Sequence, residues 1–385
     1  MHHNNKVGHQ GRHLHVLHVL NGFGVGGAEM GVARLAGMLQ GEGLSHSVCS
    51  LSADMALRSQ LPVNVPAYSL NIARASYTAW LKLALIVRRK AVDIIHVNNL
   101  GPWLDGFLAA RLTGRKCVMT FHGIETSALQ MSRFKRFLYS GLLRKTDIVT
   151  AVSNSAGELM AKGVGGEGRF IFTIPNGVDC LRFTPAESEK DKENARREFG
   201  LPVSGSIFGS VAALRPVKNH RELIEAFSSC SKESADRSIF LAIAGDGPEK
   251  ANLQYLVESN GLEGKVLFLG HCSNVGRFLQ SVDAFCLTSI SEGMSYSILE
   301  AMASGLPVFT TAVGANTELV IPGETGYLYT SGDKVRLTEI LCRAVSRADC
   351  LIEMGRRARQ RVEKNYSLST MADEYRRIYL SIHNH

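Results

Sequence analysis

Along this chain, short apolar runs alternate with longer stretches in which apolar residues return every three or four positions, the two periods of strand and helix. Residues 14–20 read as a strand, a Gly-rich turn follows over 22–27, and 28–39 have helical spacing. The unit recurs. Residues 48–51, 93–97, 116–121 and 148–152 are strand-like, whereas 77–89 and 104–111 are helix-like. A polar, charge-dense interval, 187–198, interrupts the pattern after Pro175-Asn176-Gly177 and reads as a linker. Beyond it, strands at 206–212, 239–244, 266–269, 284–288 and 307–310 alternate with helices at 221–229, 249–258 and 275–281. Alternation of this kind predicts a parallel, doubly wound sheet, and here it predicts two of them in tandem. The closing residues 369–382 are helical in pattern and carry no strand.

Length agrees with two cores, since 385 residues exceed what one hydrophobic core usually organises. With 45% hydrophobic and 20% charged residues, disordered, collagen-like and coiled-coil chains are excluded. No run approaches the ~20 apolar residues of a membrane-spanning helix, and residues 1–12 are polar and His-rich, unlike a secretory signal. A cytoplasmic protein is expected. None of the eight cysteines forms a Cys-x-x-Cys pair, so they are expected as reduced, buried apolar residues.

Charge changes the picture more. Residues 1–185 hold 20 Lys+Arg against 10 Asp+Glu, a balance of +10, whereas the remainder holds 23 against 25, a balance of −2. The densest basic stretch places Arg133, Lys135, Arg136, Arg144 and Lys145 around Phe134, Phe137, Leu138 and Leu142, which share one helical face. Residues 132–145 therefore read either as an ordinary surface helix or as contact with an anionic membrane on the inner face of the cell. Nucleic acid is not expected as a partner, for no helix-turn-helix, zinc or RNA-binding signature accompanies the charge.

Two segments carry candidate chemistry. Gly22-x-Gly24-x-x-Gly27 has the spacing of a dinucleotide fingerprint, but the acidic residue such a site needs after the second strand is represented only by Asp54, which lies late. The second segment runs from Ser291 to Val308. Ser295 is placed to cap a helix that Gly305 and Pro307 end. Glu292 and Glu300 are eight positions apart, about 80° around a continuous helix, so Glu292 falls in the preceding loop and Glu300 in the second turn. Between them, the amides of Met294 to Ser297 at the positive helix end form a candidate anion site.

Glu292-x7-Glu300 with its Gly-Met-Ser and Ala-x-Gly-x-Pro-Val surroundings resembles the signature of retaining glycosyltransferases of the GT-B fold, family 4, also called group 1. Further pieces agree in order: Gly26-Gly27-Ala28-Glu29, Phe121-His122-Gly123, Pro175-Asn176-Gly177, Arg215-Pro216-Val217-Lys218 and Ala244-Gly245-Asp246-Gly247-Pro248. The resemblance implies an α/β protein of GT-B architecture, two Rossmann-like doubly wound parallel-sheet domains facing a cleft. The expected division is 1–185 for an acceptor-binding domain, 186–200 for a linker region and 201–366 for a nucleotide-sugar domain, with a helix at 367–385 packing back on the first domain.

The resemblance also implies roles. Glu300 would hold ribose hydroxyls and Glu292 the donor sugar. The backbone of Gly293, Met294, Ser295, Ser297 and Ile298, with Gly26 and Gly27, would hold the diphosphate. Arg215 and Lys218 would neutralise the leaving phosphate, and His122 would lie by the sugar. Relatives often carry Arg where this chain has Ala213, which leaves Arg215 to substitute. No cofactor and no metal are expected, the chain having no Asp-x-Asp. The implied activity is retaining transfer of a hexose or N-acetylhexosamine from a nucleoside diphosphate sugar, UDP before GDP, to a glycan or lipid-linked acceptor in bacterial surface or exopolysaccharide synthesis. The alternatives are a non-hydrolysing epimerase, an NAD-dependent oxidoreductase and a non-catalytic sugar-nucleotide or membrane scaffold.

Overall fold

The computed structural model describes residues 13–24, 26–41, 43–72, 78–123, 131–166, 171–233 and 238–383. The chain divides into two compact units, one comprising 1–151, 157–174 and 372–385, the other 152–156 and 175–371.

In the first unit, strands β1 (Leu14–Leu20), β2 (Leu44–Ser50), β3 (Ala67–Ser69), β4 (Ile94–Asn98), β5 (Lys116–Phe121), β6 (Ile148–Ala151) and β7 (Phe172–Thr173) are joined through helices α1 (Gly27–Leu39), α2 (Ala79–Arg89), α3 (Trp103–Thr113), α4 (Arg133–Lys145) and α5 (Asn154–Val164). The sheet order is β3-β2-β1-β4-β5-β6-β7, all parallel. Strand order reverses between β1 and β4, the place where open α/β sheets receive ligands at their carboxyl ends.

The second unit repeats the plan. Its strands are β8 (Ser206–Val211), β9 (Ile239–Ala244), β10 (Val266–Gly270), β11 (Ala284–Leu287), β12 (Val308–Thr311) and β13 (Gly326–Tyr329). Their order is β10-β9-β8-β11-β12-β13, again parallel. Strands such as Ile239–Ala244 are apolar throughout because helices cover both faces, among them α7 (His220–Glu233) and α12 (Lys334–Ser346), which share one core with them. The unit's other helices are α6 (Glu189–Glu198), α8 (Lys250–Ser259), α9 (Val275–Gln280), α10 (Tyr296–Ala303), α11 (Asn316–Leu319) and α13 (Ala348–Asn365), whereas α14 (Leu368–His383) belongs from Ala372 onwards to the first unit.

Several elements differ from their reading in the sequence. The 186–200 segment holds α6 inside the second unit, where Arg196 and Lys192 both bind Asp283. Strand β2 begins at Leu44 rather than 48, because its polar residues Ser45, His46 and Ser47 lie in the sheet. Cysteines 49, 117, 230 and 286 are buried, whereas 180, 272 and 342 are half-buried and Cys350 is exposed. Of the apolar residues assigned to one face of α4, Leu142 is buried and Leu138 half-buried, but Phe134 and Phe137 are 77% and 80% exposed.

The first unit has an unusual interior. His18, His46 and His96, on three adjacent strands, are all buried, with ring centroids 5.3 Å (His18 to His46) and 5.0 Å (His18 to His96) apart. His18 Nε2 and His46 Nδ1 share a hydrogen bond of 3.0 Å. The two nitrogens of His96 bond the hydroxyls of Tyr379 and Thr120, each at 2.7 Å, so α14 is tied to the sheet by this ring. Burial first, and the neighbouring rings second, lower His46 and His96 to about 3.

Acid should therefore weaken this unit. Unfolded histidine titrates near ~6.5, so below that pH the unfolded chain takes up protons that the folded one refuses. Stability is complete above about pH 6.5 and falls with pH at about 1.4 kcal/mol per unit for each such ring, down towards the folded values. Both tryptophans, Trp80 and Trp103, lie in the first unit, so their fluorescence isolates it during urea unfolding. The midpoint should drop steeply between pH 6.5 and 4.5, and His46→Leu should flatten the drop; a midpoint insensitive to both changes would refute the account.

Candidate active site

The reversal of strand order in the second unit places the loops after β8 and β11 side by side. They are stitched together. Thr288 Oγ1 donates to the carbonyls of Lys218 and Asn219, both at 3.0 Å, and Ile290 N donates to Val217 O at 2.8 Å. The loop after β9 fastens the other side of the β8 loop: Leu214 N donates to Asp246 O at 2.9 Å, and a Cβ on Gly245 would lie 1.9 Å from Ala212 O. Only glycine permits that approach.

This bracing brings Lys218 and Glu292 into contact. Lys218 Nζ donates to Glu292 Oε1 at 2.5 Å, and Ser289 Oγ donates to the same oxygen at 2.5 Å. The Glu292 side chain is 3% exposed and that of Lys218 is 23% exposed. Oε2 of Glu292 receives no hydrogen bond among the described residues. Behind the carboxylate, Gly314 is in the left-handed region (φ +50°), and a Cβ there would strike Glu292 O at 1.9 Å. Ala315 N donates to Gly293 O at 3.0 Å, which fixes the loop from the β12 side.

From this loop the chain enters α10. Ser295 is its N-cap, with Oγ accepting from Ile298 N at 3.5 Å and lying 3.0 Å from Ser297 Oγ. The first-turn amides of a helix have no partner within it and form a positive end. Met294 is clamped from outside, its carbonyl accepting from Asn176 Nδ2 and its sulfur from Asn176 N, both at 3.1 Å. Glu300 lies in the second turn of α10 and is buried. Arg215 precedes the 3-10 turn Pro216–Lys218 and is exposed, as is Ala213.

Two profiles of protein families match this chain over most of its length, Glycosyltransferase Family 4 over residues 25–182 and Glycosyl transferases group 1 over 191–361. The chain is a group 1 glycosyltransferase of the GT-B fold. N-acetyl-alpha-D-glucosaminyl L-malate synthase of Bacillus anthracis is 29% identical over 82% of this chain and 80% of its own length. UDP-Gal:alpha-D-GlcNAc-diphosphoundecaprenol alpha-1,3-galactosyltransferase of Escherichia coli is 26% identical over 78% and 79%. The fold is shared with the crystal structure of HepE of Anabaena in complex with UDP, at a TM-score of 0.82 and 21% identity, covering 96% of this chain and 99% of that one.

In this glycosyltransferase the remaining candidates, His122, Gly26 and Gly27, belong to the first unit. His122 follows β5. Its Nε2 donates to Asn98 Oδ1 at 3.0 Å, and Asn98 Nδ2 donates to His96 O, which fixes the amide's orientation. The bond puts a proton on Nε2, and burial, which lowers the ring to about 4, favours the neutral form. Nδ1 then carries a lone pair, buried and without a partner among the described residues. Gly26 caps α1, yet a Cβ there would strike the Glu29 carboxylate at 2.3 Å, and one on Gly24 would strike that of Asp54 at 2.3 Å. Two carboxylates thus overlie the Gly-rich turn. Among the described residues, no three His, Cys, Asp or Glu side chains gather as a set of metal ligands.

Sequence reasoning missed Ser289, Asn176 and Gly314 as supports of Glu292 and Met294, and it missed His220. That ring opens α7, is buried, and has neither nitrogen hydrogen-bonded among the described residues. Burial first and the Lys218 cation second lower it to about 4. Its position two residues after Lys218 was the available signal.

The ion pair supports a stability test. Lys218→Ala leaves the Glu292 carboxylate to Ser289 alone, a loss of up to ~3 kcal/mol, less than for a fully buried pair because Lys218 meets water. Chemical denaturation of Lys218→Ala, Glu292→Gln and the double variant should yield a coupling of about 1 kcal/mol or more. Strictly additive losses would show that the pair contributes nothing.

Proposed function

We propose that this enzyme transfers a hexose or N-acetylhexosamine from a UDP-sugar, with retention of anomeric configuration and without a metal ion, to a glycan or lipid-linked acceptor in bacterial surface or exopolysaccharide synthesis. The observation that carries this reading is Glu292, anchored through Oε1 by Lys218 and Ser289 with Oε2 left to accept hydrogen bonds from sugar hydroxyls. The printed activities of the two relatives, one making an N-acetylglucosaminyl malate and the other using UDP-Gal on a diphosphoundecaprenol-linked sugar, support the donor and acceptor classes. UDP bound in the Anabaena structure supports the base.

In this reading the backbone of Gly293, Met294, Ser295, Ser297 and Ile298 receives the diphosphate at the positive end of α10, and Glu300 accepts from the ribose hydroxyls. Lys218 and Arg215 offset the negative charge that develops as the anomeric carbon–oxygen bond breaks and its electron pair moves to the β-phosphate. The acceptor oxygen then bonds to the anomeric carbon on the face just vacated, and its proton passes to the departing phosphate. The family resemblance further assigns His122 to the donor sugar and Gly26 and Gly27 to the diphosphate. Because the cations and helix amides supply the electrostatic partner of the phosphate, no divalent ion is required. Helix α4 is the face that meets an anionic membrane, where a lipid-linked acceptor would be held.

Glu300→Ala should weaken UDP binding about tenfold or more, since it strands two ribose hydroxyls at ~1–3 kcal/mol. Unchanged affinity in a folded variant, measured by calorimetry, would move the nucleotide elsewhere. Turnover should survive excess chelator, and NMR of the product should show the donor's anomeric configuration. Activity that vanishes with chelator and returns with manganese or magnesium would refute the metal-independent reading, and an inverted product would refute retention.

A further inference from the structure

Beside α4 the first unit has an open hollow of about 440 Å3, lined chiefly by apolar side chains of α3 and α4, among them Leu104, Phe107, Leu108, Phe137 and Leu142. That volume falls within the range of ordinary small-molecule sites, ~300–1,000 Å3. Gly141 also lines it. A glycine in the interior of a 13-residue helix is the poorest choice short of proline, and it is usually retained where another backbone comes close. Here nothing does. A Cβ built on Gly141 meets no heavy atom within 4 Å. What the missing side chain leaves is the open space of the hollow itself.

The surroundings indicate what the space would take. Arg144 and Lys145 lie on its rim. Phe134 and Phe137 stand 77% and 80% exposed on the same helix, and Arg133, Lys135 and Arg136 are exposed beside them. The helix itself has no carboxylate. Asp105 lies in the first turn of α3, where burial raises its pKa, and Asp147, two positions after α4, is 3.9 Å from Lys116. An apolar slot with a cationic rim, next to protruding aromatic rings, is complementary to a molecule with a hydrocarbon tail and a phosphate head.

Building on the reading of α4 as the membrane-facing helix, we propose that the α3–α4 hollow seats one acyl chain of an anionic phospholipid, with the phosphate held by Arg144 and Lys145. Phe134 and Phe137 then enter the interfacial layer beside it. The bound chain adds an attachment that salt does not screen to one that salt does.

The probe is dihexanoylphosphatidylglycerol below its micelle concentration, titrated against the full chain by calorimetry, with dihexanoylphosphatidylcholine and inorganic phosphate as controls. The anionic lipid should bind, and both controls should bind about tenfold more weakly or worse. Gly141→Trp, which fills the hollow, should weaken that binding about tenfold while UDP affinity stays unchanged; Gly141→Leu serves if the larger residue disturbs folding. Equal lipid affinity in wild type and a folded plugged variant overturns the proposal. Sedimentation with phosphatidylglycerol vesicles separates it from the reading it rests on. If wild type fails to sediment, the membrane reading itself falls; if wild type and the Gly141 variant sediment equally and monomeric lipid does not bind, the hollow alone is refuted. A dimer in solution that the Gly141 variant dissociates, with no lipid bound, assigns the face to a second copy of this chain and also overturns the proposal.

Discussion

A carboxylate whose side chain is 3% exposed has little water to solvate it, and for Glu292 the partner that takes water's place, beside Ser289, is a lysine from a loop 74 residues away in the chain. The contact is available only because β8 and β11 are neighbours in the sheet although they are not consecutive in sequence. Most of the neighbouring detail follows from bringing those two loops together. Thr288 and Ile290 bind the backbone of the β8 loop, Gly245 lets the β9 loop press on it, and Gly314 lets the β12 loop lie against Glu292. In the proposed reading this rigidity has a chemical use. With Oε1 occupied twice, the free lone pairs of the carboxylate sit on one atom, and that atom's position is set before any sugar arrives.

Much of this was legible in the sequence, and for identifiable reasons. Residues 14–20, 116–121 and 239–244 coincide with β1, β5 and β9: β9 is apolar throughout because helices cover both faces, and in β1 and β5 the apolar runs remain readable around His15, His18, Lys116 and Thr120. The capping serine at 295 and the separation of Glu292 from Glu300 into loop and helix followed from helix geometry alone. Less legible were elements whose polar residues are satisfied by distant partners. The charges of α6 resembled a solvated linker, but Arg196 is buried and bound to Asp283, 87 residues on. Ser45, His46 and Ser47 concealed the first half of β2 for the same reason: nothing local reveals that His46 faces His18.

The buried histidines show what that blindness costs a reader. Three rings in one sheet resemble a titratable or metal-binding cluster when seen as a list of residues. Packed, they behave as neutral, hydrogen-bonding aromatics. Burial keeps the proton off, His96 spends both nitrogens on hydroxyls, and one of those hydroxyls belongs to α14. Desolvation is thus turned to structural use in the first unit, whereas in the second the comparable isolation of His220 leaves both ring nitrogens without a hydrogen-bond partner among the described residues, in a ring whose proton the Lys218 charge helps to keep off.

The uneven charge of the chain fits two electrostatic tasks of different range. Residues beyond 185 balance at −2, yet they contain the group proposed to bind a diphosphate. Net charge is no obstacle there, because a phosphate bound as proposed would respond chiefly to Lys218, Arg215 and the amides of α10 at close range, where screening by salt is slight. Attraction to a bilayer is different. It sums over every charge within a Debye length of ~8 Å, so it needs an excess spread over a surface rather than one well-placed cation. Five of the 20 cations of residues 1–185 lie on α4, a helix with no carboxylate of its own, and the proposed membrane contact would draw on that local excess. In the proposed membrane contact, exposed Phe134 and Phe137 would matter in proportion to that field, since rings near an anionic surface gain from burial only once the charges have brought them there.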